Sequence, residues 1–192
     1  MANRTVVILD GGTAASASLT DPAAAVTVKL LDRLGWGSSL FRMRELDIAP
    51  CRGCFDCWVK TPGVCIIDDP ARDIAREFMR SDLVVFLTPI TFGGYSSELK
   101  KGIDRLIPLI LPYFTFVGSE IHHIRRYRSY PNLLGIGTLP GPDPEGEAIF
   151  SDLLVRNSIN IYALDVDTCV VYEGDHNPEE KIEEKLLGVI DR

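Results

Sequence analysis

Four cysteines crowd into one short stretch, as Cys51-x2-Cys54-x2-Cys57-x7-Cys65. Thiolates spaced this closely can converge on one centre, and three cysteines at intervals of three are typical of iron-sulfur ligation. Tetrahedral zinc could use the same thiolates. Closed zinc sites, however, more often pair two C-x2-C knuckles across a longer segment, so iron is the metal favoured here. A reading without metal stands beside it, in which the thiols pack as small side chains or react as redox groups. The remaining cysteine, Cys169, falls in an apolar run and is read as a buried small hydrophobe with no chemistry.

A second stretch reads Thr88-Pro89-Ile90-Thr91-Phe92-Gly93-Gly94-Tyr95-Ser96. Proline fixes the exit from the apolar run before it, two glycines permit close backbone approach, and Phe92 and Tyr95 offer flat apolar surfaces to an aromatic ring. A tricyclic flavin would suit that wall; in the alternative, both rings simply pack over the end of a sheet. A third stretch, with Gly11, Gly12, Thr13, Ser16, Ser18 and Thr20, sets small residues and hydroxyls ahead of a helix, where backbone N–H groups can hold a phosphate. It is neither G-x-G-x-x-G nor a P-loop with its lysine, so a dinucleotide fold or an NTPase has no motif support. A small-residue turn with capping hydroxyls is the plainer alternative. The one basic run, His122-His123-Ile124-Arg125-Arg126-Tyr127-Arg128, could meet the phosphates of NADP(H), although a solvated patch or a subunit contact is the commoner fate of such a run.

These segments need a scaffold, and apolar periodicity supplies one. Thr5 to Leu9, Ser39 to Met43, Leu83 to Leu87, Leu133 to Thr138 and Asp167 to Tyr172 read as short buried strands. Helices are predicted from Asp21-Pro22 to Gly35, from Asp69-Pro70 to about Arg80, from about Ser97 with a kink or end at Pro108, from Glu145 to Asn157, and from Pro178 to Ile190. Residues 44–69 carry no convincing periodicity and read as a long cysteine-containing loop. Alternating strands and helices with right-handed crossovers place helices on both faces of a parallel sheet and ligands beyond the strand C-termini. The chemistry-bearing segments are loops at that edge.

At 192 residues the chain has room for one domain, residues 1–192, with a full core. Its 46% hydrophobic and 24% charged residues exclude disorder and a fibrous repeat. A net charge of -7 makes nucleic acid or an anionic membrane a poor partner, which leaves small molecules and proteins. The opening MANRTVVILDGG has too few apolar residues for a signal or spanning segment, and the odd cysteine count argues against a disulfide scaffold. A cytoplasmic location is expected.

The run TPITFGGYSSELKKGIDRL, from Thr88 to Leu106, resembles the flavin-ring loop and following helix of the NADPH-dependent FMN reductase family. The cysteine stretch, continued by Pro62-Gly63-Val64-Cys65 and Asp68-Asp69, is similar to the cysteine loop of that family's iron-sulfur flavoprotein and related branches. The resemblance implies a flavodoxin-like three-layer sandwich with a five-stranded parallel sheet in order 2-1-3-4-5. It implies that Thr88, Pro89, Ile90, Thr91, Phe92, Gly93 and Gly94 contact FMN. Ser16, Ser18 and Thr20 would face its phosphate beside Gly12 and Thr13, and Thr138 would begin the loop near the far side of the ring. The phosphate loop departs from the family's G-S-x-R pattern, reading Gly11-Gly12-Thr13-Ala14 with no arginine. Cys51, Cys54, Cys57 and Cys65 become candidate ligands of a [4Fe-4S] centre. The implied activity is transfer of hydride from NAD(P)H to FMN and of electrons onward to a quinone, flavin, nitro compound or protein. No catalytic side chain is required, because the chemistry is centred on the flavin. An electron carrier without turnover is the alternative. A homodimer or homotetramer is expected, with Phe55 and Trp58 of the cysteine loop as contact surface.

Overall fold

A computed structural model describes residues 4–190; residues 1–3, part of the opening segment read above, and 191–192 lie outside the described residues. Along the chain run β1 (Thr5–Asp10), α1 (Ala17–Arg33), β2 (Gly37–Arg42), α2 (Asp56–Val59), α3 (Ala71–Arg80), β3 (Leu83–Pro89), α4 (Ser97–Ile103), β4 (Ile110–Val117), β5 (Glu120–Arg125), β6 (Asn132–Leu139), α5 (Pro144–Asn160), β7 (Val166–Tyr172) and α6 (Pro178–Ile190). Five of the strands form one parallel sheet in the order β2-β1-β3-β6-β7, which is 2-1-3-4-5 when its members alone are counted.

Side chains alternate across a strand, so a continuous apolar run must be buried on both faces. Val6, Ile8, Leu83, Val85 and Leu134 pack with Ala24, Leu30 and Leu31 of α1 and Ile182 and Leu186 of α6. Val7, Leu9, Val84, Phe86 and Leu133 pack instead with Ile74 and Phe78 of α3, Leu99 of α4 and Leu154 of α5. Cys169 is buried in the first of these clusters, as a small hydrophobe would be. No helix among the described residues is long and apolar enough to cross a membrane.

Two elements differ from the sequence reading. Helix α1 starts at Ala17 and encloses Pro22, rather than starting there. The Ser16 carbonyl already accepts the N–H groups of Leu19 and Thr20, so the helix is nucleated before the Asp-Pro signal, and Ser18 and Thr20 are helical residues. The second difference is the antiparallel hairpin β4–β5, which forms a separate sheet. Its register breaks between Ile110 and Phe114, around Pro112, which has no N–H to give the ladder. Gly118 takes the left-handed conformation, with φ of 60°, that its two-residue turn requires. Tyr113, Phe114, Phe116 and Ile121 are exposed along this arm.

Candidate functional site

The sheet order changes direction between β1 and β3, and their C-terminal ends lie side by side, with Asp10 opposite Leu87. Gly11 extends the ladder by donating its N–H to the Leu87 carbonyl at 2.7 Å. Ser96, the N-cap of α4, then fastens the two loops together. Its hydroxyl donates to the Gly11 carbonyl at 2.6 Å and accepts from the Leu99 N–H at 3.1 Å, and its own N–H donates to Thr88 Oγ1 at 3.0 Å. Glycine is obligatory beside this joint: a Cβ on Gly11 would sit 2.4 Å from Leu99 Cβ, and one on Gly12 would sit 2.2 Å from Thr20 Oγ1.

Beyond β3, Thr91 and Gly94 exchange both backbone hydrogen bonds, at 3.0 and 2.9 Å, around Phe92 (φ 50°) and Gly93 (φ 74°). Positive φ at both central positions is the signature of a type I′ turn, and for phenylalanine it costs about 1–2 kcal/mol. Strain of this kind collects at functional positions. The strained ring projects wholly into solvent, and the N–H groups of Phe92 and Gly93 have no acceptor among the described residues. Ile90 is pinned through its N–H to the Thr138 carbonyl at 3.0 Å. Thr138 itself lies within β6, buried, and its hydroxyl has no partner among the described residues. The two aromatic residues of this stretch separate: Phe92 faces out, while Tyr95 packs edge-on to Phe86 and Phe150 and accepts a hydrogen bond from Asn157. Burial pushes the Tyr95 phenol up, against the pull of Asn157.

Around the first loop, Gly12, Thr13, Ser16 and Thr20 come together. Thr13 N–H donates to Ser16 Oγ at 2.8 Å, Ser16 N–H donates to the Thr13 carbonyl at 3.1 Å, and Thr20 Oγ1 donates to the Ser16 carbonyl at 3.2 Å. Ser18 is exposed and lines a groove facing Tyr172, Glu173 and Pro178. Gly12 N–H donates to Asp10 Oδ1 at 2.8 Å, and Asp10 is fully buried. Burial raises its carboxyl, although the Gly12 N–H and Arg44 pull the other way. Arg44 was not visible as a site residue in the sequence, because it follows β2 rather than belonging to the loop. It stands 3.5 Å from Asp10 and holds Asp21 through two bonds of 2.7 and 3.0 Å. The available signal was the strand order, which puts the end of β2 beside the end of β1.

The cysteine loop contains α2 and borders an open cavity of about 330 Å³ lined by Cys51, Cys54, Cys57 and Cys65 together with Arg52, Phe55 and Arg105; Cys51 and Cys54 are exposed and Cys57 is buried. Positive φ at Gly53 (63°) and Phe55 (58°) turns the chain between the first three cysteines. Burial, followed by the neighbouring Cys65, Cys54 and Cys51, pushes the Cys57 thiol up to about 11. Among the described residues no group of three or more His, Cys, Asp or Glu converges closely enough to hold a metal ion, so the thiols share a cavity without being gathered at one point. Arg105 is buried in the cavity wall. It donates to the Ala49 carbonyl at 2.6 Å, to both Asp69 oxygens at 2.7 and 3.0 Å and to the Ile67 carbonyl at 3.2 Å, while its Nε has no partner among the described residues.

From this loop a row of rings leads to the hairpin. Phe55 stacks on Trp58 at 5.0 Å, Trp58 meets His123 at 5.1 Å, and His123 meets Phe114 at 4.5 Å. The basic run that carries His123 is largely structural. His122 is buried between Glu120 and Asn160, and Arg126 donates to the carbonyls of Pro108 and Ile110.

Residues 4–118, which include all three loops, match the sequence profile of the NADPH-dependent FMN reductases. The chain belongs to the NADPH-dependent FMN reductase family. Within the curated proteins it is 32% identical over 75 residues to an iron-sulfur flavoprotein of Methanocaldococcus jannaschii, covering 39% of this chain and 38% of that one. It is 26% identical over 94 residues to an iron-sulfur flavoprotein of Archaeoglobus fulgidus, covering 49% and 47%. The aligned part thus spans less than half the length of these relatives. Among solved structures, an NAD(P)H:quinone oxidoreductase from Methanothermobacter marburgensis superposes over 100% of both chains with a TM-score of 0.69 at 12% identity. An FMN-dependent NADH-azoreductase from Bacillus anthracis, in complex with FMN, superposes over 95% of this chain and 96% of its own with a TM-score of 0.64 at 12% identity. At these identities the FMN reductase family member shares their fold.

Proposed function

We propose that this chain is an FMN-dependent NAD(P)H oxidoreductase, built as one flavodoxin-like three-layer unit over residues 1–192 and working in the cytoplasm. The observation that carries the reading is the Ser96 joint, which locks a strained turn with two free N–H donors beside the first loop at the switch between β1 and β3. Bound there, FMN would accept hydride from the nicotinamide and release electrons to a small molecule or a protein. The chain's own part is positional. The N–H groups of Phe92 and Gly93 would donate to the polar edge of the ring system, Phe92 would flank it, and the hydroxyl of Thr138 would gain the partner it lacks. Gly12, Thr13, Ser16 and Thr20 would face the phosphate end, with Ser18 at the margin.

A second cofactor belongs to this reading on the cysteine spacing alone, since the four thiols share a cavity but would have to draw together to hold one centre. Arg105 in the wall is paired with Asp69 and has one N–H, on Nε, left to donate toward the cavity. Cys51, Cys54, Cys57 and Cys65 would hold a [4Fe-4S] centre, which supplies single-electron transfer. Protein purified without oxygen is expected to show flavin and iron-sulfur absorption and to oxidise NADPH in steady state. Cys54→Ala should lose the iron and keep the flavin. A spectrum without flavin that cannot be restored by added FMN would sink the main reading, whereas bound flavin without NADPH turnover would leave an electron carrier.

A homodimer or homotetramer also forms part of this reading. Trp58 is half-buried and occupied by its neighbours, with its indole N–H donated to the Ile110 carbonyl at 2.9 Å, so the hairpin residues Tyr113, Phe114, Phe116 and Ile121 are better placed for subunit contact. Light scattering at micromolar concentration should give at least twice the chain mass, and Phe116→Asp should lower it; a wild-type monomer would oppose the proposal.

A further inference from the structure

We propose that Asp10 makes the phosphate end of the flavin site a proton-dependent selector, which admits a phosphorylated flavin when its carboxyl is neutral and favours an unphosphorylated one when it is ionised. The proposal rests on the flavin reading above and specifies which flavin the site takes. The first loop divides its donors between the protein and a ligand. Gly12 N–H is held by Asp10 and Thr13 N–H by the Ser16 hydroxyl, while the N–H groups of Ala14, Ala15, Ala17 and Ser18 have no acceptor among the described residues. A carboxylate of the protein itself therefore takes the first N–H of the turn and lies beside the donors left for a phosphate.

The surrounding charge gives no surplus for a phosphate. Asp10 faces Arg44 at 3.5 Å, and Arg44 is shared with Asp21 at 2.7 Å and Glu45 at 3.9 Å. Arg42, opposite Asp10 on β2, is the other cation near it, and at the start of α4 the uncharged Ser96 and Leu99 lie against the loop. Three carboxylates around two guanidiniums leave a net negative site when all are ionised. A phosphate with a charge of about -1.5 to -2 would enter against that field. A proton on Asp10 removes one negative charge and turns an acceptor into an O–H donor. Burial of Asp10 already favours that form.

The sign of the pH dependence follows. A bound phosphate raises the Asp10 carboxyl above its value in the free protein, so binding takes up a proton. FMN affinity then rises as pH falls from the bound to the free value of Asp10, and is level on either side. Riboflavin, which differs only in lacking the phosphate, has no such dependence.

FMN and riboflavin titrated by flavin fluorescence into wild type, Asp10→Asn and Asp21→Asn, from about pH 5 to 8, test this. The protonation of free FMN is common to all three proteins, and any coupling of the bound phosphate to Asp10 or Asp21 is part of the effect sought, so the FMN-to-riboflavin affinity ratio is compared between proteins. In wild type relative to Asp10→Asn the ratio should climb by up to about tenfold per unit fall in pH, and Asp10→Asn should tighten FMN about tenfold at the alkaline end with riboflavin unchanged. Asp21→Asn, at a partly exposed side chain, frees Arg44 and should also tighten FMN selectively, which keeps the test open if the Asp10 variant does not fold. A ratio with the same value and pH dependence in the variants as in wild type overturns the selector alone. Binding of neither flavin overturns the flavin reading and the selector with it.

Discussion

Arg105→Met is expected to destabilise the fold by about 3–5 kcal/mol, because removing one partner of a buried pair strands the other. The Arg105 side chain is 1% exposed and its guanidinium binds residues at both ends of the cysteine loop. Methionine fills the space of the stem, so the loss is mainly polar: the Asp69 carboxylate and the carbonyls of Ala49 and Ile67 lose their donor. Arg105→Lys should fall in between, since it keeps the charge without the planar fork. Burial alone would raise the Asp69 carboxyl, but Arg105 and the N–H groups of Ala49 and Ala71 outweigh it and hold it below its ordinary value. A depressed carboxyl contributes stability that is complete above the unfolded value, about pH 4, and fades as pH falls through the lower folded value. Acid should therefore destabilise wild type more steeply than Arg105→Met. Urea midpoints measured at neutral and acid pH test both statements, and a neutral-pH loss below about 1 kcal/mol would mean the loop is held by something else.

Gly93→Val should remove flavin binding to a comparable degree. The residue needs φ of 74°, and a Cβ there would stand 2.5 Å from Ile149 Cγ2. Left-handed strain of about 1–2 kcal/mol and overpacking of about 1–3 kcal/mol together dismantle the turn that presents Phe92. FMN should bind at least about tenfold more weakly. Gly94→Ala is the control, since its Cβ would meet only the Thr91 carbonyl at an ordinary 3.5 Å without positive φ, and its binding should change little. Equal FMN affinities for wild type and Gly93→Val would remove this turn from the site.

The inner sheet was legible because doubly buried strands are written as apolar runs, and β1, β3 and β6 fall within two residues of their expected limits; the edge strand β7 does so too, although VDTCVVY is only half-buried. The hairpin was not. In ILPYFTFV the proline argues against a strand, the apolar residues continue the helical spacing of Leu99, Ile103 and Leu106, and Phe114 and Phe116 are exposed, so neither alternation nor burial distinguishes them. The start of α1 was misread because Asp21-Pro22 imitates a cap, whereas Thr13 and Ser16 tie one another at the actual entry. Within the candidate site, the sequence offered Phe92 and Tyr95 as equals, and it took backbone geometry to turn one outward. Arg44 and Arg105 acquire their roles from sheet order and from loop carbonyls, neither of which leaves a mark in residue spacing.

Trp58 sits between the cysteine loop and the hairpin, touching a ring of each. The chain has one other tryptophan, Trp36, which lies at the entrance to β2, beneath the Arg4 guanidinium. The two indoles thus form an internal pair of optical gauges. One emits from the junction of the two appended segments, the other from the end of the sheet where the strands begin. Loosening of the cysteine loop changes the first while the second continues to report an intact sheet, so local opening and global unfolding are separable in wild-type protein without any added label.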